Sequence, residues 1–243
     1  MKSNPLFRFA VASDGHYGEP GVEADKNYSN LVKWLRKEKE GRGLDLWFFN
    51  GDLIHDVKEF LPRVTEYFDS VEVPYYAVRG NHDTLTDEEW KDYFGYNVNF
   101  EVKMNNILFL GGSSSDSEGK YQCADIQWFE ERLSAAHLCK LVFIFLHVSQ
   151  GGWTAQGILC PGVIEMFDRH PEVTAVFHAH DHDEDHVKKS KNTSYFFDSY
   201  IGSTWGLDYY GYRIVEIDEE YRVRTYQFDP AQGKIVNENY LNH

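Results

Sequence analysis

Asp14-Gly15-His16 sets a carboxylate and an imidazole two residues apart, a spacing that lets both side chains converge from an irregular turn. Similar side chains return in four later segments: Gly51-Asp52, Gly80-Asn81-His82-Asp83, His147, and His178-Ala179-His180. Alone, each is weak, because a single Asp is usually a cap or turn residue and a single His a satisfied or exposed side chain. Together they form a set of nitrogen and oxygen donors without cysteine. Such a set suits borderline first-row ions such as Mn, Fe or Zn.

What must position these residues is a series of short strands. Residues 7–13, 44–50, 74–78, 141–146 and 173–177 are apolar and β-branched runs, and a chemistry-bearing segment follows each one. The continuous apolar character of 44–50 predicts a strand buried on both faces. Between the strands, residues 27–40, 58–70, 124–136 and 161–170 carry helical spacing. Thr86 with Glu89 three residues on predicts a capping box for a short helix through Phe94, and Asn105-Asn106 predicts a hairpin turn. From residue 184 to 228 the chain alternates apolar and polar residues like antiparallel hairpins, with 213–218 and 222–228 the clearest pair. This order predicts an α/β sheet whose later part turns antiparallel, with ligands gathered beyond the carboxyl ends of the strands.

The five segments resemble the blocks of the calcineurin-like metallophosphoesterase family, D-x-H, G-D-x-x-x-D, G-N-H-D, a lone H and G-H-x-H, in the family's order and from Asp14 to His180. The last block departs at Phe177, where the family has Gly. The resemblance is to a small single-domain member, similar to class III cyclic-nucleotide phosphodiesterases. It implies a four-layer α/β/β/α sandwich with two mixed sheets over residues 1–243. It also implies two divalent or mixed-valence transition-metal ions (Mn, Fe or Zn), one held by Asp14, His16, Asp52 and His180, the other by Asp52, Asn81, His147 and His178. On the family pattern, a hydroxide bridging the metals attacks a small phosphate ester in line. His82 acts on the transition state or leaving oxygen, with Asp83 as its orienting partner. His55 and Asp56 are expected to order the loop. His182, Asp183, Asp185 and His186 are read as a polar loop.

Composition narrows the partners. The 24 basic and 39 acidic residues give a formal charge of −15, a field that repels polyanions, so no nucleic acid polymer is expected. The longest apolar run, residues 141–146, is far short of the ~18–20 residues a membrane span needs. Residues 1–8 carry no secretory pattern, and Cys123, Cys139 and Cys160 are expected to be incidental thiols in a reducing compartment. Cytoplasmic localisation is the resulting expectation. Residues 148–160, with Trp153 and Gln156, are a candidate substrate wall. Tyr200, Trp205, Tyr209 and Tyr210 are read as sheet packing, with base stacking as the alternative. A nucleotide-diphosphate hydrolase, or a protein-binding scaffold on the same fold, are the competing functions; the complete ligand set favours the enzyme.

Overall fold

The computed structural model describes residues 5–241. The expected domain over 1–243 therefore includes residues 1–4 and 242–243, which lie outside the described residues, as does the first part of the 1–8 segment. In chain order the elements are β1 (Phe7–Ala12), α1 (Ala24–Arg42), β2 (Leu46–Asn50), α2 (Leu61–Ser70), β3 (Tyr75–Val78), α3 (Asp87–Phe94), β4 (Phe100–Met104), β5 (Ile107–Gly112), α4 (Ile126–Ser134), β6 (Leu141–Leu146), α5 (Pro161–Arg169), β7 (Val173–His178), β8 (Val187–Ser190), β9 (Thr193–Phe197), β10 (Tyr212–Ile217), β11 (Val223–Asp229) and β12 (Lys234–Leu241). They build two six-stranded mixed sheets, ordered β12-β11-β10-β1-β2-β3 and β4-β5-β6-β7-β9-β8. Among the described residues no helix is long and apolar enough to cross a membrane.

Strand periodicity explains the four layers. Successive residues of a strand face opposite ways, so Phe9, Phe48, Phe109, Phe143, Phe145 and Phe177 meet between the two sheets. Their neighbours Ala10, Trp47 and Phe49 pack outward with Leu31, Leu35, Val64 and Phe68 of α1 and α2. Val142, Ile144 and Val176 do the same with Phe129 of α4 and Met166 of α5. Phe9 sits at the centre, its ring 5.1 Å from Phe143 and 5.3 Å from Phe109, both edge-on. Edge-to-face contacts of this kind add to the area each ring buries.

The local signals act as expected. Thr86 accepts from Glu89 N while Glu89 accepts from Thr86 N, which starts α3. Asn105 and Asn106 take φ of 49° and 62°, the left-handed pair that a tight hairpin between β4 and β5 requires.

Three features depart from the reading of the sequence. β9 is not only half of a hairpin with β8 but also a parallel neighbour of β7. Its five residues are all buried, as a central strand demands, while Lys188 and Lys189 mark β8 as the edge. β12 was not anticipated, since it is a half-exposed edge strand whose side chains are largely polar. The thiol reading needs correction: Cys123 and Cys160 form a disulfide with Cα atoms 5.7 Å apart, leaving Cys139 free. The two lie 37 residues apart and meet only because the segment before α4 packs beside the start of α5. With that pair joined, the cysteines no longer argue for a reducing compartment.

Two stability outcomes follow. Phe9→Ala empties the centre of the inter-sheet core and is expected to cost about 3–5 kcal/mol in urea unfolding; a loss below about 1 kcal/mol would contradict the central place given to this ring. Reducing the Cys123–Cys160 bridge is expected to lower stability by about 2–4 kcal/mol in the same assay. An unchanged midpoint would show that the bridge constrains nothing.

Candidate metal centre

Each sequence segment singled out for chemistry leaves the sheets at their carboxyl edges. Asp14 stands two residues past β1 and Asp52 two past β2, while His147 directly follows β6 and His180 stands two past β7. The chain turns sharply at these points: Asp14, His16, Asp52 and His180 take φ of 53°, 41°, 54° and 67°. Non-glycine residues rarely hold this left-handed conformation, and it persists only where the surroundings enforce it. Backbone hydrogen bonds enforce it here. Asp14 N donates to Gly51 O at 3.0 Å, and Gly15 N and His16 N both donate to Asp52 O, at 2.9 and 3.0 Å.

The turns deliver two adjoining clusters. In one, donor atoms of Asp14, His16 and His182 lie within 4.8 Å of one another; in the other, those of Asp52, His147 and His180 do. Asp52 Oδ2 lies between them, 3.1 Å from His147 Nε2 and 3.6 Å from His16 Nε2. It nevertheless hydrogen-bonds to neither, and Asp52 Oδ2, His147 Nε2 and His180 Nε2 are all buried without a hydrogen-bond partner. Buried polar atoms left unpaired are costly, and several around one point are what a cation site looks like before its ion is counted. The donors are carboxylate and imidazole, so the set fits a first-row transition ion. His147 is already oriented: its Nδ1 lies 2.7 Å from the Asn50 carbonyl, the outer hydrogen bond typical of a ligating histidine.

The structure groups the last histidines differently from the sequence reading, bringing His180 and His182 to the two clusters and leaving His178 outside both. His178 is still in β7, and its Nδ1 donates to Leu146 O at 2.8 Å. Its ring stacks on Tyr195, 6.1 Å away, on the helix side of the sheet. It belongs to neither cluster, although its Nε2 is likewise buried without a hydrogen-bond partner. His182 belongs to the first: its Nε2 is 3.1 Å from Asp14 Oδ1 and 3.2 Å from His16 Nε2. His180, paired in the sequence reading with Asp14 and His16, sits instead with Asp52 and His147. The signal was present in the sequence. Ala179-His180-Asp181-His182 repeats the H-x-H spacing behind a small residue, whereas Phe177 stands before the other copy.

The remaining site residues divide by task. Asn81 is buried with Oδ1 unpartnered. His82 N donates to Asp52 Oδ1 at 2.8 Å, and its Nδ1 faces Asp56 Oδ1 at 3.0 Å. Its ring stacks on His55, 4.3 Å away, and His55 in turn meets His16 through their Nδ1 atoms at 3.2 Å. Asp56, not Asp83, is therefore the partner of His82. Asp83 is fully buried and accepts from Leu53 N (2.8 Å), Ile54 N (3.1 Å) and Gly80 N (2.8 Å), tying two site loops together. Two glycines are required by contact. A Cβ on Gly80 would lie 2.2 Å from Asp52 Oδ1, and one on Gly51 2.3 Å from His147 Nδ1.

The electrostatics are those of two buried anions. Burial opposes charge on Asp14, but His182 and His147 outweigh it and lower the carboxyl to about 2. Burial likewise opposes a charged His147, yet the Asp52 and Asp14 carboxylates push it up to about 10. A metal cation among the same atoms competes for the place of that proton. His180 is lowered to about 4 by burial and by the neighbouring His147. Asp83, buried beside Asp52, is raised to about 7.

In the 148–160 segment, Trp153 packs on Tyr195 at 4.6 Å. The rings at the site are Tyr121, edge-on to His180 at 4.9 Å, and Trp205 and Tyr200, which stack on His182 at 4.5 and 4.9 Å.

Comparison with known proteins bears on the fold and the family. No curated protein matches by sequence. The described fold is similar to that of a dimetal phosphatase from Danio rerio, with a TM-score of 0.74, 14% identity, and coverage of 98% of this chain and 99% of the other. It is similar to a purple acid phosphatase from yellow lupin seeds (TM-score 0.66, 12% identity), covering 96% of this chain but 53% of that one. It is also similar to the E. coli phosphoesterase Yfce (TM-score 0.52, 13% identity, coverage 97% and 100%). At these identities the likeness establishes the fold. The family profile for calcineurin-like phosphoesterases matches residues 7–184, which takes in both clusters, and the chain belongs to that family of metal-dependent hydrolases of phosphate esters.

Proposed function

We propose that the two clusters hold two transition-metal ions and that the chain hydrolyses a small phosphate ester between them. One ion falls to Asp14, His16 and His182, the other to Asn81, His147 and His180, with Asp52 shared. The observation that carries this reading is Asp52 Oδ2, buried, unbonded, and within 3.6 Å of imidazole nitrogens from both clusters. A shared carboxylate offsets the repulsion of two dications ~3.5–4 Å apart. The dimetal phosphatase with the same fold supports a count of two.

When bound, such ions supply Lewis-acid charge that makes water nucleophilic near neutral pH and draws charge from phosphoryl oxygens. The chain's own residues do the rest. Among the ligands only Asp14 and Asp52 are anionic, two negative charges against the four of two dications, so the ions would keep a net positive charge that attracts phosphate within an acidic protein. His82 is 29% exposed at its side chain and can meet substrate, unlike the buried histidines. Asp56 accepts the Nδ1 proton of His82, which leaves Nε2 to act on the leaving oxygen. The Asp83 carboxylate holds the Gly80 and Leu53 backbones, and so holds Asp52 and Asn81 in place.

Metal content and turnover test the assignment. After stripping and reloading with Mn, a bis-aryl phosphodiester, an aryl monoester and 3′,5′-cyclic AMP would be assayed in parallel. His182→Ala is expected to bind less metal and to lose at least about tenfold in turnover, while His178→Asn keeps its metal. The reverse outcome would restore the His178 assignment. Asp83→Asn sets amide hydrogens against backbone donors and is expected to cost about 1–3 kcal/mol of stability. Asp56→Asn is expected to leave stability within about 0.5 kcal/mol and to lower kcat with metal content intact. Loss of metal in Asp56→Asn would contradict its role as the partner of His82.

A further inference from the structure

Trp205 is a large aromatic residue left 45% exposed at the edge of a buried polar site. Its indole is 24° from parallel to the His182 ring at 4.5 Å, and the Tyr200 ring is 18° from parallel to His182 at 4.9 Å. Both rings stack on His182, Tyr200 buried and Trp205 open to solvent. His182 points its edge at Asp14, so the stacked rings lie directly beside the Asp14–His16–His182 cluster. Packing of His182 uses one face of the indole. Among the described residues, no other aromatic ring meets Trp205.

The indole is also held in place. Leu207 N donates to His182 O at 2.8 Å, and Gly206, at φ +129°, passes so close that a Cβ would lie 2.7 Å from the same carbonyl. On the other side Thr204 Oγ1 donates to Glu19 Oε1 at 3.0 Å, which ties the segment to the loop after Asp14-Gly15-His16. A fixed, exposed ring loses little entropy when something stacks on it. The charges nearby are Glu19 at Thr204, Asp208 facing Tyr200, and Lys26 facing Tyr210, whose ammonium already donates to Glu23. The exposed indole itself, stacked on one ring only, is what a flat, uncharged group fits.

We propose that the outer face of Trp205 binds a nucleobase, and that the substrate is a nucleoside phosphate ester rather than a sugar or lipid phosphate. This rests on the phosphoesterase reading and adds the identity of the group beyond the phosphate. A ring laid on Trp205 lies two ring spacings from His182, roughly the reach of one sugar unit. Stacking on an aromatic face tolerates any base, so the inference selects the class and not the base.

Adenosine 5′-monophosphate and ribose 5-phosphate carry the same phosphate on the same sugar and differ only by the base. Their binding to the Mn-loaded protein would be compared by titration calorimetry and by competition with the aryl diester. The expected result is at least about tenfold tighter binding of the nucleotide. Trp205→Ala should bring the two within about threefold of each other, and Trp205→Phe, which keeps a ring, should retain most of the preference. Equal binding by the wild-type protein with its metals present, or a preference untouched by Trp205→Ala, would overturn the stacking site and leave the phosphoesterase reading standing. A protein that takes up no metal and binds neither compound would overturn that reading, and this inference with it.

Discussion

Two carboxylates, Asp14 and Asp52, are fully withdrawn from water between the edges of two sheets, and the rest of the site is arranged around that fact. An isolated buried anion costs far more than a domain of this size can spare. Each is therefore surrounded by imidazoles from the opposite sheet, His147 and His180 after β6 and β7, and His182 a turn further on. Asp52 is the more constrained of the two. Its carbonyl accepts from Gly15 and His16, its Oδ1 from His82, and its Oδ2 is left facing histidines of both clusters.

This arrangement explains features that look unrelated when taken singly. The left-handed turns at Asp14, His16, Asp52 and His180 are strained positions that the hydrophobic sandwich pays for. The absence of a Cβ at Gly51 and Gly80 lets His147 and Asp52 approach the backbone. Asp83, buried beside Asp52, serves the backbone of two loops and not the chemistry. The phenylalanine core behind them gives the strand ends a rigid base, so the donor atoms converge before any ligand arrives.

Most of the fold was legible because its strands are buried on both faces and read as plain apolar runs, as in β2 and β6. Five strand ends carrying Asp, Asn or His then located the site. Illegible was whatever depends on where a strand stops. His178 remains inside β7, and strand alternation turns its side chain toward Tyr195 and the helices. Two and four residues later the chain has turned, and His180 and His182 point into the site. Spacing alone does not separate the two H-x-H copies. The Asp56–His82 pair and the Cys123–Cys160 bridge were hidden for a related reason, since each joins residues 26 and 37 positions apart. β12, polar and on an edge, has no apolar pattern to show.

The most direct test of this account is the position of the metals. In a crystal of the Mn-loaded protein, anomalous scattering is predicted to show two ions, one among Asp14, His16 and His182 and one among His147, His180 and Asn81, with Asp52 touching both. A single ion, or an ion ligated by His178, would contradict it.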